Sequence, residues 1–298
     1  MKVVIAGASG MVGSALTPAL RAAGHDVLRL VRGGAAHAPD EIVWDPATGG
    51  IDERRLEGAE AVINLSGENL GAGRWTAARR ERILRSRVDA TRTLVTTMAK
   101  LARKPEVFLS ASAIGYYGDR GDEVLTEASE IGHGFLPEVC LAWETHAEGA
   151  SRFGVRTALL RFGLILARNG GALAKMRPLF RLGVGGRLGS GRQWMSWVGI
   201  DDVVSVVGHA LQEERCRGPV NVVAPGAVTN AEFTHTLAQA LHRPAIVPVP
   251  ALALRVVLGR AMADEALLSS VRAAPERLRE AGYRFRHPML AAALAAVL

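Results

Sequence analysis

The stretch "KVVIAGASGMVG" (Lys2–Gly13) decides how the rest of the chain is read. Val3 to Ala6 form an unbroken apolar run that begins with three β-branched residues, which suits a strand covered on both faces. Glycines then recur at Gly7, Gly10 and Gly13, and from Met11 to Ala23 the apolar residues take helical spacing. Strand, glycine turn and helix in that order carry a physical purpose. The glycines allow a tight turn, bring backbone close to a bound anion, and let the helix pack closely on the strand. Ser9, Met11 and Val12 complete the turn, so the first N–H groups of the helix face whatever lies before it. The spacing predicts a dinucleotide pyrophosphate there. The competing reading is a turn that only packs a helix.

Further short apolar runs follow: Asp26–Val31, Glu60–Leu65, Glu106–Ala111, Val155–Phe162 and Pro219–Ala224. Helical patterns separate them at Thr76–Ala102, Leu136–Arg152 and Asp201–Gln212. This alternation predicts an α/β fold, a Rossmann-type doubly wound parallel sheet. Beyond Gly163 the chain becomes rich in glycine and basic residues, which reads as an excursion off the sheet at about 165–195. After Ala224 it turns mostly helical. "TNAE" (Thr229–Glu232) is a capping box, and the proline-punctuated "VPVPALALRVVL" leads into another helix. The expected division is a nucleotide-binding domain at 1–224 and a smaller, mostly helical C-terminal domain at 225–298 on the substrate side.

The 298 residues include 49% hydrophobic and 22% charged side chains, the balance of a globular protein with a large core. The net charge of +7 favours anionic partners, nucleotide cofactors among them. Two cysteines, Cys140 and Cys216, give neither a disulfide framework nor metal-ligand spacing, so no metal is expected. The N-terminus lacks the pattern of a signal peptide, and "MLAAALAAVL" is half the ~20 residues of a membrane span. A cytoplasmic location without membrane contact is the expectation.

At the end of the second strand, an NAD site places a carboxylate for the adenine ribose. This chain has Arg32, which suits a 2′-phosphate and predicts NADP(H), a solvated surface arginine being the alternative. "VWDP" (Val43–Pro46), taken to follow a third strand, offers Asp45 to the adenine. "INLSG" brings Leu65, Ser66 and Gly67 to the sheet edge. "SASAIGYYG" (Ser110–Gly118) sets serines just ahead of two tyrosines, residue types that hold and protonate a carbonyl.

With "GASGMVG", Arg32, "NLSG", "SASAIGYYG", "LRFGLIL" and "WVGIDDVV" together, the sequence resembles the extended short-chain dehydrogenase/reductase family. More narrowly it resembles the "epimerase family" or nucleoside-diphosphate-sugar epimerase-like subfamily. "INLSGENL", "RSRVDATRTL", "SAIGYYGDRGDE", "FLPEVCLAWE" and "PERLREAGYRFRHP" carry that narrower likeness, which spans nearly the whole chain. The resemblance implies a nicotinamide cofactor and puts the substrate-holding serine at Ser112. It lays Phe162, Gly163 and Leu164 along the nicotinamide, brings Arg87 toward cofactor phosphate or adenine, and makes Asp202 a helix cap and scaffold. It leaves a homodimer open and fixes no substrate.

One departure matters. The wider family uses Tyr-x-x-x-Lys on the helix after the fifth strand, where Cys140 and Glu144 stand here. The only tyrosines are Tyr116, Tyr117 and Tyr283, and none begins that motif. A carboxylate one turn from a thiol opposes thiolate formation, so Cys140 reads as structural. Tyr116, Tyr117 and Glu144 remain as proton partners, Glu144 either as a general base or as the partner of an arginine. The expected activity is that of an NADP(H)-dependent oxidoreductase or epimerase on a small carbonyl or alcohol compound, with nucleotide-sugar-like and anionic compounds among the candidates. Its rival is a sensor that binds NADP(H) without turnover. The basic run at Arg74–Lys104 has little aromatic interleaving and reads as a solvated helix face rather than a nucleic-acid surface. Arg187 and Arg192, in the excursion, are candidates to clamp an anionic group.

Overall fold

The computed structural model describes residues 1–33 and 38–298. Seven parallel strands form the central sheet: β1 (Lys2–Ala6), β2 (Asp26–Val31), β3 (Glu41–Asp45), β4 (Ala61–Asn64), β5 (Val107–Ala113), β6 (Arg156–Phe162) and β7 (Gly218–Val222). Their order is β7-β6-β5-β4-β1-β2-β3, with the short segment Gly50–Ile51 antiparallel outside β3. The order reverses at β1, which pairs Val3 with Val27 on one side and with Ala61 on the other. A crevice opens where the chain turns away in both directions, and in open α/β sheets ligands collect there.

Alternate residues of each strand face opposite layers. Val3, Ile5, Ile63, Leu109 and Leu160 pack on α1 (Met11–Ala22) and on Val203, Val206 and Val207 of a later helix at Ile200–Gln212. Val4, Ala6, Val62, Phe108 and Leu159 pack on Ala90, Leu94 and Met98 of α2 (Ala77–Lys100) and Ala147 of α3 (Phe135–Glu148). Both strand faces are therefore dry, which is why these strands lack an apolar–polar alternation.

The expected element bounds need small corrections. Val43 to Asp45 lie within β3 rather than after it, because β2 extends pairing to Val43. α3 ends at Glu148 and a 3₁₀ turn, Gly149–Phe153, continues it. The glycine-rich excursion contains a helix, α4 (Gly171–Arg181), ahead of α5 (Ile200–Gln212). Leu173 and Phe180 of α4 join Trp197, then Phe233 and Leu237 of α6 (Asn230–Ala240). Leu290 and Leu294 of α8 (Leu290–Val297) complete this cluster, and α7 (Ala251–Leu258) lies between α6 and α8 in the chain. At the start of α6, Thr229 and Glu232 make the reciprocal bonds of a capping box. Among the described residues, no helix is long and apolar enough to cross a membrane.

Candidate functional site

The glycine turn is as tight as its sequence demands. Gly7 has φ +82°, and a Cβ there would stand 2.7 Å from the Leu65 carbonyl carbon. A Cβ on Gly13 would stand 2.3 Å from the Gly7 carbonyl oxygen, so α1 meets the turn with no room for a side chain. Gly10 N–H donates to Gly7 O at 3.0 Å, and Gly10 is exposed. No acid stands in the first turn of α1 and no side chain caps it. Its leading N–H groups and positive dipole end are left for an anion.

A cleft of about 1030 Å³ opens from this turn. Gly7, Ser9, Gly10, Arg32, Asp45, Leu65, Ser66 and Gly67 line it, although they come from four separate strand ends. Met11, Val12 and Gly13 stand behind it in the first turn of α1, Met11 against Gly170 and Val12 against the core. Arg32 is exposed on the wall. Asp45 accepts from Ala47 N at 3.0 Å and Thr48 Oγ1 at 2.9 Å, so its carboxylate also closes its own turn. Ser66 N donates to Asn64 Oδ1, and buried Asn64 donates to Thr91 of α2 at 2.9 Å, fixing the loop.

Arg87 is not in the cleft wall, contrary to expectation. It lies beneath Gly67, donating to Ile83 O at 3.0 Å and Glu68 O at 3.2 Å, with its guanidinium over the Trp143 ring. Burial lowers its pKa. The helical period explains the correction: Arg82, Arg85, Ser86 and Asp89 take the cleft-facing side of α2, and Arg87 takes the inner side. Arg29, paired with Asp40 at 2.7 Å, also lines the cleft and had no sequence signal beyond its place in β2.

At the end of β5 a buried polar network replaces the missing motif. Ser112 Oγ donates to Glu144 Oε1 at 2.6 Å. Arg161 Nε donates to Glu144 Oε1 at 2.8 Å and Nη2 to Oε2 at 2.7 Å, a two-point ion pair with side chains 2% and 6% exposed. Arg161 Nη1 donates to the Tyr117 hydroxyl at 3.0 Å, and Tyr117 donates onward to Asn221 Oδ1 at 2.7 Å. The Arg161 guanidinium lies 3.5 Å from the Tyr116 ring centroid. Burial opposes the Arg161 charge, but the Glu144 bonds and charge outweigh it and raise the pKa. With two guanidinium donors on it, Glu144 is a carboxylate, an acceptor only. The Ser112 proton is therefore committed to Glu144, and the serine's lone pairs are what it can offer elsewhere.

The network corrects two expectations. Tyr117 is 0% exposed with its hydroxyl doubly bonded, so it is not available to a substrate; burial pushes its phenol up, with Arg161 opposing. Glu144 is no free base, since both oxygens are held. Tyr116 stays half-buried beside them. Cys140 packs under the Ala113 carbonyl, and burial first, then Glu144, pushes its thiol up to about 12. Phe162, Gly163 and Leu164 are half-buried at the end of β6, where a Cβ on Gly163 would meet Ser196 O at 2.7 Å. Asp202 caps no helix. Fully buried, it accepts from Tyr283 Oη, Arg286 N and His287 N at 2.7–3.0 Å, tying the C-terminal segment to α5.

Arg161 and Asn221 are members of this network that the sequence alone did not single out. Their signal was present: each is a polar residue inside a run otherwise read as a buried strand, and such residues need partners.

A family model for the NAD dependent epimerase/dehydratase family matches residues 3–223, and a domain of unknown function, DUF1731, matches 249–297. The epimerase family protein MT2273 of Mycobacterium tuberculosis is 43% identical over 98% of this chain and 96% of its own length. Human epimerase family protein SDR39U1 is 34% identical over 99% of this chain and 98% of its own. The crystal structure of human SDR39U1 (isoform 2) with NADPH superposes with a TM-score of 0.90 at 33% identity, covering 100% of this chain and 99% of that one. A nucleoside-diphosphate sugar epimerase from Corynebacterium glutamicum gives 0.82 at 36% identity, 99% of this chain matching 57% of that longer one.

Proposed function

Because this chain belongs to the NAD dependent epimerase/dehydratase family, we propose that it is an NADP(H)-dependent oxidoreductase or epimerase acting on a small alcohol or carbonyl compound. The cofactor fits the residues present. The cradle at Gly7 and Gly13 would be filled by any Cβ, the first turn of α1 carries no acid, and Arg32 stands on the same cleft wall. Gly7, Ser9, Gly10, Met11, Val12 and Gly13 would hold the pyrophosphate, Arg32 the 2′-phosphate, and Asp45 with Leu65–Gly67 the adenosine side. The NADPH in the crystal structure of human SDR39U1 supports this choice of cofactor. Phe162, Gly163 and Leu164 would border the nicotinamide. When bound, that ring gives or takes a hydride at its C4 carbon.

Tyr116 is the residue we assign to the reacting substrate oxygen, and Ser112 to a hydroxyl beside it. Ser112 accepts a hydrogen bond from this second hydroxyl of the substrate, because its own proton points to Glu144 and the reacting oxygen's one proton passes to and from Tyr116. Tyr116 gives its phenolic proton to the oxygen during reduction and takes it back during oxidation. Arg161 keeps the Tyr116 ring in place by stacking, and Glu144 fixes both Ser112 and Arg161. These two are positioning residues. The observation that carries the proposal is the Ser112–Glu144–Arg161 network at the strand edge where Tyr-x-x-x-Lys is absent.

A panel of alcohols with NADP⁺ and carbonyl compounds with NADPH tests it. Turnover that Ser112→Ala abolishes, with NADPH affinity kept, is the expected result. Tight NADPH binding with no turnover across the panel favours the sensor reading, to which the 3% exposure of Ser112 lends weight. The excursion at 165–195 and residues 225–298 are proposed as the substrate side.

A further inference from the structure

A second groove lies away from the nucleotide cleft. It has a volume of about 760 Å³ and runs between α6 and the segment that follows it. Ala231, Thr234, His235 and Ala238 come to one face of α6 by their three- and four-residue spacing. At the helix end Arg243 N–H donates to Ala238 O at 3.0 Å, turning residues 243–246 back along that face. The opposite wall is Arg187. It is held there because Val249 N–H donates to Arg187 O at 2.8 Å, and because glycine at 186 leaves space for the Val247 carbonyl. Arg192, expected to act with Arg187, is not in this wall.

The lining is one-sided in charge. Among the described residues, Arg187, His235, His242 and Arg243 border the groove and no carboxylate does. Pro244, Ala245 and Ile246 make one end apolar. Thr234, 4% exposed, forms part of the wall, and its Oγ1 has no hydrogen-bond partner. Its neighbour Thr236 satisfies itself on Glu232 O at 2.8 Å, as helical threonines ordinarily do. The Thr234 Oγ1 is itself buried, so it lies behind the wall and is not open to the groove; the polar face offered there is that of Arg187, His235, His242 and Arg243.

We propose that this groove binds a phosphorylated small molecule with an apolar or aromatic body. Two guanidiniums and two imidazoles offer more donors than one carboxylate can use, and a phosphoryl group accepts from several at once. The volume is within the roughly 300–1,000 Å³ typical of organic-ligand pockets, far more than a bare anion fills. The apolar end takes the body, and Arg187, His235 and Arg243 take the phosphoryl oxygens. The proposal is independent of the oxidoreductase reading.

Calorimetry on the full chain with excess NADPH, using phenyl phosphate and inorganic phosphate, provides the test. NADPH fills the glycine turn, so phosphate binding there is suppressed. The expected result is saturable one-to-one binding of phenyl phosphate, tighter than that of inorganic phosphate. Arg243→Ala should weaken it about tenfold, as loss of a charge-assisted bond does. Arg187→Ala, at an exposed position, should weaken it by a similar factor while leaving the melting temperature of the free protein unchanged. Absence of saturable binding, equal affinity in both variants, or displacement of phenyl phosphate by NADPH would each overturn the proposal. So would retention on phosphatidic acid vesicles without binding of free phenyl phosphate.

Discussion

Replacing Glu144 by glutamine changes one oxygen to an amide nitrogen and removes one charge. Among the described residues that charge is the only carboxylate bonded to Arg161, which is 2% exposed. Glutamine keeps one acceptor, but it also turns an NH₂ toward either the guanidinium or the Ser112 hydroxyl, both of which need acceptors. Breaking a buried pair by removing one partner costs about 3–5 kcal/mol, mostly the penalty of the stranded charge. Total stability of a domain is about 5–15 kcal/mol, so the variant should remain folded with a much lower urea midpoint. Removing both charges is different. Glu144→Leu combined with Arg161→Met should recover most of the loss, because no unpaired charge remains, while Tyr117 keeps its bond to Asn221. Urea unfolding of the wild type, Glu144→Gln, the single variants Glu144→Leu and Arg161→Met, and their double measures the coupling. A loss below about 1 kcal/mol for Glu144→Gln, or a double variant as unstable as the sum of the singles, refutes the reasoning.

Other outcomes follow from the same geometry. Arg32→Glu should move cofactor preference from NADPH toward NADH, read as the ratio of dissociation constants; an unchanged ratio removes Arg32 from the phosphate site. Burial pushes the thiols of Cys140 and Cys216 up to about 12 and about 11, so neither should alkylate at pH 8 until urea unfolds the chain. The Arg29 hydrogen bond first, then Arg21, lowers Asp40 from its ordinary 3.8 to about 2. Its contribution is complete above pH 3.8 and is lost as pH falls through 2, so Asp40→Asn should flatten acid unfolding in that window.

How much of this was legible depends on what each residue's neighbours in sequence could reveal. The strand–glycine–helix unit is local, so Gly7, Gly10 and Gly13 announced the tight turn that the structure shows. The parallel sheet followed from alternation, because parallel strands need a crossover of roughly a dozen or more residues between them; the order of its strands came only from the fold. Arg87 was misplaced because a helix residue's face depends on which side of α2 meets the sheet, and a run of seven arginines between Arg74 and Arg92 hides that phase. The roles of Glu144 and Tyr117 were hidden for another reason. Their partners Arg161 and Asn221 lie 17 and 104 residues away on other strands. Only the tertiary fold brings those four together, although an arginine inside the apolar run "VRTALLRF" already required a buried anion.

The account is tested most directly by a crystal structure of this chain grown with NADPH. It predicts pyrophosphate density against the Gly10–Gly13 turn, a 2′-phosphate within hydrogen-bonding distance of Arg32, and the nicotinamide between Phe162–Leu164 and Ser112. Density for the nucleotide elsewhere, or a nicotinamide turned away from Ser112 and Tyr116, contradicts it.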